Sequence, residues 1–183
     1  MPAFEAARDP VRAGAAGAYM RHRFPFLGIP APRVAAIARE VTAGLPPPAG
    51  DDALAAVALY CWRLPEREYQ FFGVWYVRRH VRHAGPAFVP TLERLVTTRP
   101  WWDTVDGLAT HVAGPLVAAY PELTAVMDRW VESEDLWLAR AAILHRWLGD
   151  GGAVAGRSRR RVHPCRPGPC LARRSRWKRA PGA

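Results

Sequence analysis

The sequence predicts an all-α protein built from stacked antiparallel helix pairs, and three observations support this fold class. Apolar residues recur at three- and four-residue spacings through most of residues 1–150, which is the period of an amphipathic helix. Proline and glycine separate these segments, and several segments begin with proline or with acidic residues in the first turn. No pair of alternating segments has the pattern of a β-hairpin.

These signals define eight helical segments along the chain. In chain order they are residues 4–22, 32–41, 51–64, 65–81, 88–98, 100–120, 121–133 and 134–148. Short connections make consecutive helices antiparallel neighbours, as in a bundle or a helical solenoid. In the segment 65–81, the spacing predicts that Tyr69 and Phe72 face the core, whereas Arg67, Arg78 and Arg82 face water.

The formal net charge of +10 is concentrated at one end of the chain. Residues 151–183 contain ten of the 26 basic residues and none of the 16 acidic residues, so residues 1–150 contain sixteen of each. Any affinity of this first part for a polyanion must therefore come from local basic patches. We divide the chain into a helical domain, residues 1–150, and a basic tail rich in arginine, proline and glycine, residues 151–183.

Two interpretations of the tail remain open. It is either a disordered basic arm with nonspecific affinity for phosphate, or the product of a shifted reading frame in a G+C-rich gene. His163, Cys165 and Cys170 lie in the tail, but their spacing matches no common zinc pattern, so no metal site is predicted. No apolar run reaches the roughly 18 residues of a membrane span, and no signal peptide is evident, so we expect a cytoplasmic protein.

The stretch "RPWWDTVDGLATH", residues 99–111, concentrates tryptophan and aspartate on one helix. Asp103 follows Pro100 in the first turn, where the helix dipole favours a carboxylate. Asp106 lies deeper and shares a helix face with Trp102, four residues earlier. A carboxylate beside an indole suits a cationic ligand. The alternative is that both tryptophans are core residues and Asp106 pairs with an arginine such as Arg140.

Four stretches resemble one known family. "YMRHRFPFLGI", "LPEREYQFF", "TTRPWWDTVD" and "DLWLARAAILHRW" are similar, in this order, to motifs of the DNA alkylation repair family of alkylpurine DNA glycosylases. The resemblance implies HEAT-like helical repeats that form an α-α superhelix. The family continues with a segment similar to "KAIGWALRE", which has no counterpart after Asp150. We therefore expect the domain to lack the final repeat, together with one tryptophan of an aromatic clamp.

The resemblance also implies an activity, namely hydrolysis of the N-glycosidic bond of N3- or N7-alkylated purines in duplex DNA. It implies that Trp102 and Asp106 face the lesion, that Arg140 contacts DNA, and that Tyr19 is an aromatic residue lining the same cleft. The chemistry requires no metal or redox cofactor, and we expect a monomer with alkylated DNA as its partner.

Further DNA contacts are predicted at basic patches. Arg78 and Arg82 are four residues apart and would form a basic stripe, and Arg23 follows Tyr19 closely. Ordinary solvated arginines are the alternative. Two other functions remain open: a catalytically weak or inactive DNA-binding protein, and a nonenzymatic helical scaffold. The scaffold would be favoured if Asp106 were solvent-exposed and far from any basic surface.

Overall fold

The computed structural model describes residues 1–146, and every regular element in that range is helical, which confirms the predicted all-α fold. The α-helices are α1 (Pro2–Glu5), α2 (Pro10–Tyr19), α3 (Ala31–Thr42), α4 (Asp51–Arg63), α5 (Arg67–His80), α6 (Val89–Thr97), α7 (Trp102–Leu108), α8 (Gly114–Ala119), α9 (Thr124–Val131) and α10 (Leu136–Leu144). Short 3-10 turns cover Val81–His83, Pro86–Phe88 and Pro121–Leu123. The predicted basic tail, with His163, Cys165 and Cys170, lies outside the described residues.

The first predicted segment, residues 4–22, forms two helices instead of one. Pro10 has no N–H to continue a helix from the preceding turn, but it fits the first position of a new one. The Asp9 carboxylate caps this new helix by accepting hydrogen bonds from the N–H groups of Val11 and Arg12, at 3.1 and 3.0 Å. Asp9 and Pro10 therefore begin α2 as a helix separate from α1.

The helices stack as antiparallel pairs in two rows. α4 and α5 are joined through residues 64–66 and pack closely, and α9 packs against α10 in the same way. In one row α5 contacts α3 and α7, and α7 contacts α10. In the other row α4 contacts α6. This arrangement brings α5, α7 and α10 side by side, and these are three of the helices that carry the candidate site residues.

The buried core joins the two rows. Leu54, Leu95 and Leu108, from helices of both rows, are completely buried. The Trp62 indole N–H donates hydrogen bonds to the carbonyl oxygens of Leu95 and Thr98, at 3.2 and 3.0 Å, and so links α4 to the end of α6. A buried donor satisfied in this way adds specificity to an otherwise apolar contact.

A buried carboxylate holds the loop that follows α2. Glu68 on α5 accepts hydrogen bonds from the N–H groups of Leu27, Gly28 and Ile29, at 2.9, 2.8 and 3.1 Å. Gly28 has a φ of +85°, and a Cβ atom there would collide with the carbonyl oxygen of Asp9. Only glycine tolerates both the left-handed backbone and this close approach. The loop is therefore fixed to α5 on one side and to the start of α2 on the other.

A π-helical turn over Ala109–Ala113 connects α7 to α8. Pro115 follows this turn, and a proline removes one helical hydrogen bond while its ring crowds the carbonyl four residues earlier. Widening the preceding turn relieves this crowding. Such turns occur frequently at functional sites, and this one begins three residues after Asp106.

Candidate functional site

Asp106 and Arg140 form a two-bond ion pair between α7 and α10. Arg140 Nε donates to Asp106 Oδ1 at 2.6 Å, and Arg140 Nη2 donates to Asp106 Oδ2 at 2.7 Å. The two side chains remain 38 % and 41 % exposed, respectively, so a ligand can still reach both of them. The hydrogen bonds to Asp106 raise the pKa of Arg140 above its ordinary value, so the guanidinium stays charged. This is the arginine pairing considered above as an alternative for Asp106.

Trp102 stands beside this pair as the first residue of α7. Its side chain is 41 % exposed, so it is not a core residue. Asp106 follows it by one helical turn and lies on the same face of the helix. An exposed indole, a carboxylate and a guanidinium therefore lie together. Because Asp106 contacts a basic residue, the condition that would have favoured a nonenzymatic scaffold is not met.

Asp103 has a different environment, because it binds a buried arginine. Arg67 is fully buried, so the prediction that it faces water is wrong. Arg67 Nε donates to Asp103 Oδ2 at 3.0 Å, and Nη2 donates to the second Asp103 oxygen and to Thr104 Oγ1. Its Nη1 donates to Gln70 Oε1 at 2.6 Å and to the Arg99 carbonyl oxygen at 2.9 Å. The Arg67 guanidinium and the Asp103 carboxylate are thus paired and hydrogen-bonded, as a buried ion pair requires. The pair holds α5 against α7.

Trp101 connects three of the sequence motifs. The guanidinium of Arg23 lies 4.4 Å from the centre of the Trp101 ring, within the range of a cation–π contact. On α10, Trp137 packs against the same indole, with ring centres 5.7 Å apart and planes tilted by 48°. The Trp101 Nε1–H is buried and finds no acceptor among residues 1–146. Arg23, a predicted DNA contact, therefore lies against Trp101, the residue that precedes Trp102.

Tyr19 lies at the end of α2 and is largely exposed. It borders a cavity of about 300 Å³, and Phe26 and Phe71 contribute to the apolar lining. The described lining residues include none from α7 or α10. The structure therefore places Tyr19 beside a cavity of its own, and its predicted role in the cleft of Trp102 stays a prediction.

Arg78 and Arg82 are both exposed, but they do not share one α-helix. α5 ends at His80, and Arg82 lies in the following 3-10 turn, where its Nε donates to His83 Nε2 at 3.1 Å. The predicted stripe is thus interrupted between the two arginines. Arg78 instead lies near His111 in the π turn, where burial, followed by the positive charge of Arg78, holds the pKa of His111 below its ordinary value.

In residues 1–146, no group of three or more His, Cys, Asp or Glu side chains is placed to hold a metal ion. None of the helices in this part of the chain is long and apolar enough to cross a membrane. The arrangement of Trp102, Asp106 and Arg140 can accept a cationic group, bind an anion or orient a water molecule with its own side chains alone.

Comparison with known proteins identifies the family. A family model described as DNA alkylation repair enzyme matches residues 1–148, most of the 183-residue chain. The chain belongs to the DNA alkylation repair enzyme family. This membership supports a role in the repair of alkylated DNA. All predicted contact residues, from Tyr19 to Arg140, lie within the matched range.

The structure is also similar to a solved structure of a predicted DNA alkylation repair enzyme from Enterococcus faecalis. The TM-score is 0.68 and the sequence identity is 24%, over 79% of this chain and 67% of that chain. This similarity shows that the two proteins share the fold. No curated protein sequence matches the chain.

The sequence did not indicate that Trp101 and Trp137 belong together. Periodicity separates Trp101 from the face of Trp102, but it does not reveal which element lies opposite. The available signal was the position of Trp137 three residues before Arg140, which puts both on neighbouring turns of one helix face. Because Arg140 pairs with Asp106 on α7, that spacing brings Trp137 close to α7.

Proposed function

We propose that the chain is a DNA glycosylase that hydrolyses the N-glycosidic bond of N3- and N7-alkylated purines, such as 3-methyladenine and 7-methylguanine, in duplex DNA. The observation that supports this proposal is the partly exposed Asp106 carboxylate, oriented by two hydrogen bonds from Arg140 and placed one turn from the exposed Trp102. Family membership supports alkylated DNA as the substrate class.

The proposed chemistry starts from a purine that already carries a positive charge. When the C1′–N bond breaks, the bonding electron pair stays on the purine, which leaves as a neutral base. Positive charge develops at C1′, and a carboxylate directed at that carbon stabilises the transition state. A water molecule adds to C1′ and releases one proton, which Asp106 accepts or passes to solvent.

Trp102 contributes its aromatic face in this proposal. The indole quadrupole attracts a cation, and this cation–π attraction becomes stronger when water is excluded from the contact. An exposed ring on the first turn of α7 can cover the deoxyribose and the edge of the cationic purine. Trp102 would thus hold the reacting nucleotide against Asp106.

Arg140 has two anions available to it, the Asp106 carboxylate and a DNA phosphate. A guanidinium binds carboxylates and phosphates with the same forked geometry. If a phosphate takes one of the two Arg140 hydrogen bonds, the corresponding Asp106 oxygen becomes free to face C1′. Binding of the DNA backbone would then prepare the carboxylate for the reaction.

The test is release of free 7-methylguanine and 3-methyladenine from methylated duplex DNA, with wild type and Asp106→Asn measured side by side. Asn preserves the shape and removes the charge, so release should fall about 100-fold or more while duplex affinity changes little. Asp52→Asn is the matched control, because Asp52 is an exposed carboxylate on α4. Equal release by wild type and Asp106→Asn would refute the catalytic role of Asp106, and no release by wild type would refute the glycosylase.

One observation favours a second candidate, a DNA-binding protein with little or no glycosylase activity. The Asp106 charge is already neutralised by both hydrogen bonds from Arg140. A carboxylate that remained in this pair could not stabilise charge at C1′. Wild-type protein that binds methylated duplex but releases no base would establish this candidate and exclude the glycosylase.

A further inference from the structure

Trp101 lies next to the proposed site, but it takes no part in the proposed reaction. It is the residue that precedes α7, and its carbonyl oxygen accepts hydrogen bonds from the N–H groups of Thr104 and Val105, at 3.2 and 3.0 Å. The backbone of Trp101 is therefore fixed by the first turn of the helix that carries Trp102. Its ring contacts both Arg23 and Trp137.

Arg23 is placed to bind an anion. It is exposed, and within residues 1–146 no carboxylate lies at salt-bridge distance from it. It follows two residues with left-handed backbone, Arg21 with φ 54° and His22 with φ 55°. Such conformations are unfavourable for residues other than glycine and persist where the surroundings require them. Here the strained turn delivers Arg23 to the face of Trp101.

Trp101 also contacts the helix that carries Arg140, through Trp137. Trp137 precedes Arg140 by three residues, so both lie on one face of α10. The Trp101 indole therefore contacts the Arg23 guanidinium directly and packs against the helix that carries Arg140.

We propose that Trp101 is a positioning residue that fixes Arg23 as the ligand of a DNA backbone phosphate, at a set spacing from Arg140. The proposal rests on the proposed function for its ligand, duplex DNA. Phosphate contacts carry no sequence information, but they set the register of a protein on the duplex. A free arginine loses rotamer entropy when it binds, and an arginine already stacked on a ring loses less.

The experiment measures affinity for undamaged duplex DNA as a function of salt concentration, separately from base release. Arg23→Gln should weaken binding several-fold and reduce the salt slope by about one counterion. Trp101→Leu keeps an apolar side chain without the aromatic face and should weaken binding about three- to fivefold. Trp101→Phe keeps a ring and should retain most of the affinity. Both replacements remove the indole N–H, which has no acceptor within residues 1–146, so no hydrogen bond seen in the structure is lost.

The decisive measurement is the double variant. If Trp101 acts through Arg23, then Trp101→Leu with Arg23→Gln should bind as Arg23→Gln does alone. The matched control is Arg21→Gln, an exposed arginine in the same turn, whose effect should add to that of Trp101→Leu. Additive effects of Trp101 and Arg23, or equal defects in the Phe and Leu variants, would overturn the proposal.

The two proposals fail in different ways. Absence of base release by wild type refutes the glycosylase, while coupling between Trp101 and Arg23 is still measured on undamaged duplex. Additive binding effects refute the role of Trp101, while base release by wild type remains intact. Circular dichroism melting of each variant shows whether the protein used in the binding measurement is folded.

Discussion

Arg67 and Asp103 form a buried ion pair one helical turn before the partly exposed pair of Asp106 and Arg140. The Arg67 side chain is fully buried and that of Asp103 is only 7 % exposed. The two aspartates of one short motif therefore have separate tasks. Asp103 fastens α7 to α5, which leaves Asp106 free to pair with Arg140 at a partly exposed position.

Removal of the Asp103 carboxylate should destabilise the protein strongly. Asp103→Ala leaves the Arg67 charge buried without a counterion, which costs about 3–5 kcal/mol of unfolding free energy. Asp106→Ala breaks a partly exposed pair whose Arg140 can turn into water, so it should cost only about 1 kcal/mol. Denaturant unfolding of both variants compares the two values, and similar losses would contradict this assignment of roles.

Replacement of Arg140 should change DNA binding in a salt-dependent way. Arg140→Gln should weaken duplex affinity and lower the slope of log K against log salt by about one, because one phosphate contact is lost. Arg140→Lys keeps the charge, so most of the slope should remain, although the two-bond geometry is lost. Arg129→Gln, at an exposed position on α9, is the control. An unchanged slope in Arg140→Gln would exclude a phosphate contact.

Two glycines with similar backbone should respond differently to alanine. Gly44 has a φ of +75° and no neighbouring atom within 4 Å of an added Cβ, so Gly44→Ala should cost about 1–2 kcal/mol. At Gly28 the same strain is joined by a collision with the Asp9 carbonyl oxygen, so the loss should be larger. Thermal melting measures both. A Gly28→Ala protein as stable as Gly44→Ala would show that the loop can move away from α2.

Stability should decrease in mild acid because of His145. Burial holds the pKa of His145 below the value of about 6.5 that it has in an unfolded chain, with Arg146 acting in the same direction and the Ala142 carbonyl and Asp128 opposing it. The unfolded state then binds more protons as the pH falls below about 6.5, so the unfolding free energy falls until the folded-state pKa is passed.

The measurement is denaturant unfolding of wild type and His145→Gln between pH 7.5 and pH 5. Glutamine does not titrate, so the variant should lose less stability over that range than wild type. His80 and His111, whose pKa values are also lowered chiefly by burial, leave part of the dependence in place. Identical pH dependence in the two proteins would show that His145 makes no contribution.

The positions of the helices could be predicted from the sequence, because the signals that define a helix are local. The segment 51–64 became α4 at Asp51–Arg63, since its acidic first turn and apolar spacing act within a few residues. The face shared by Trp102 and Asp106 followed from their spacing in the same way. These features need no knowledge of what lies opposite the helix.

The burial of side chains and the identity of their partners were harder to predict, because both depend on packing between segments that are distant in sequence. Arg67 resembles a solvated arginine in its own helix, and its burial depends on Asp103, 36 residues later. The contact of Trp101 with Arg23 likewise depends on the left-handed turn at Arg21 and His22, which standard sequence signals do not announce. Pairing across the stack is set by the folded structure and not by local sequence.

The π turn at Ala109–Ala113 changes the angular phase of a helix that otherwise runs from α7 into α8. Each residue advances an α-helix by about 100°, so one additional residue in a turn rotates everything after it by about that amount. α7 presents its side chains to α5, α6 and α10, while α8 meets the 3-10 turns at Val81–His83 and Pro121–Leu123. Deleting one residue from the turn would keep nearly the same composition while directing one half of the helix at the wrong neighbours. The turn therefore acts as a spacer: α7 keeps Asp106 beside Arg140 on α10, while α8, after the turn, faces a different set of neighbours.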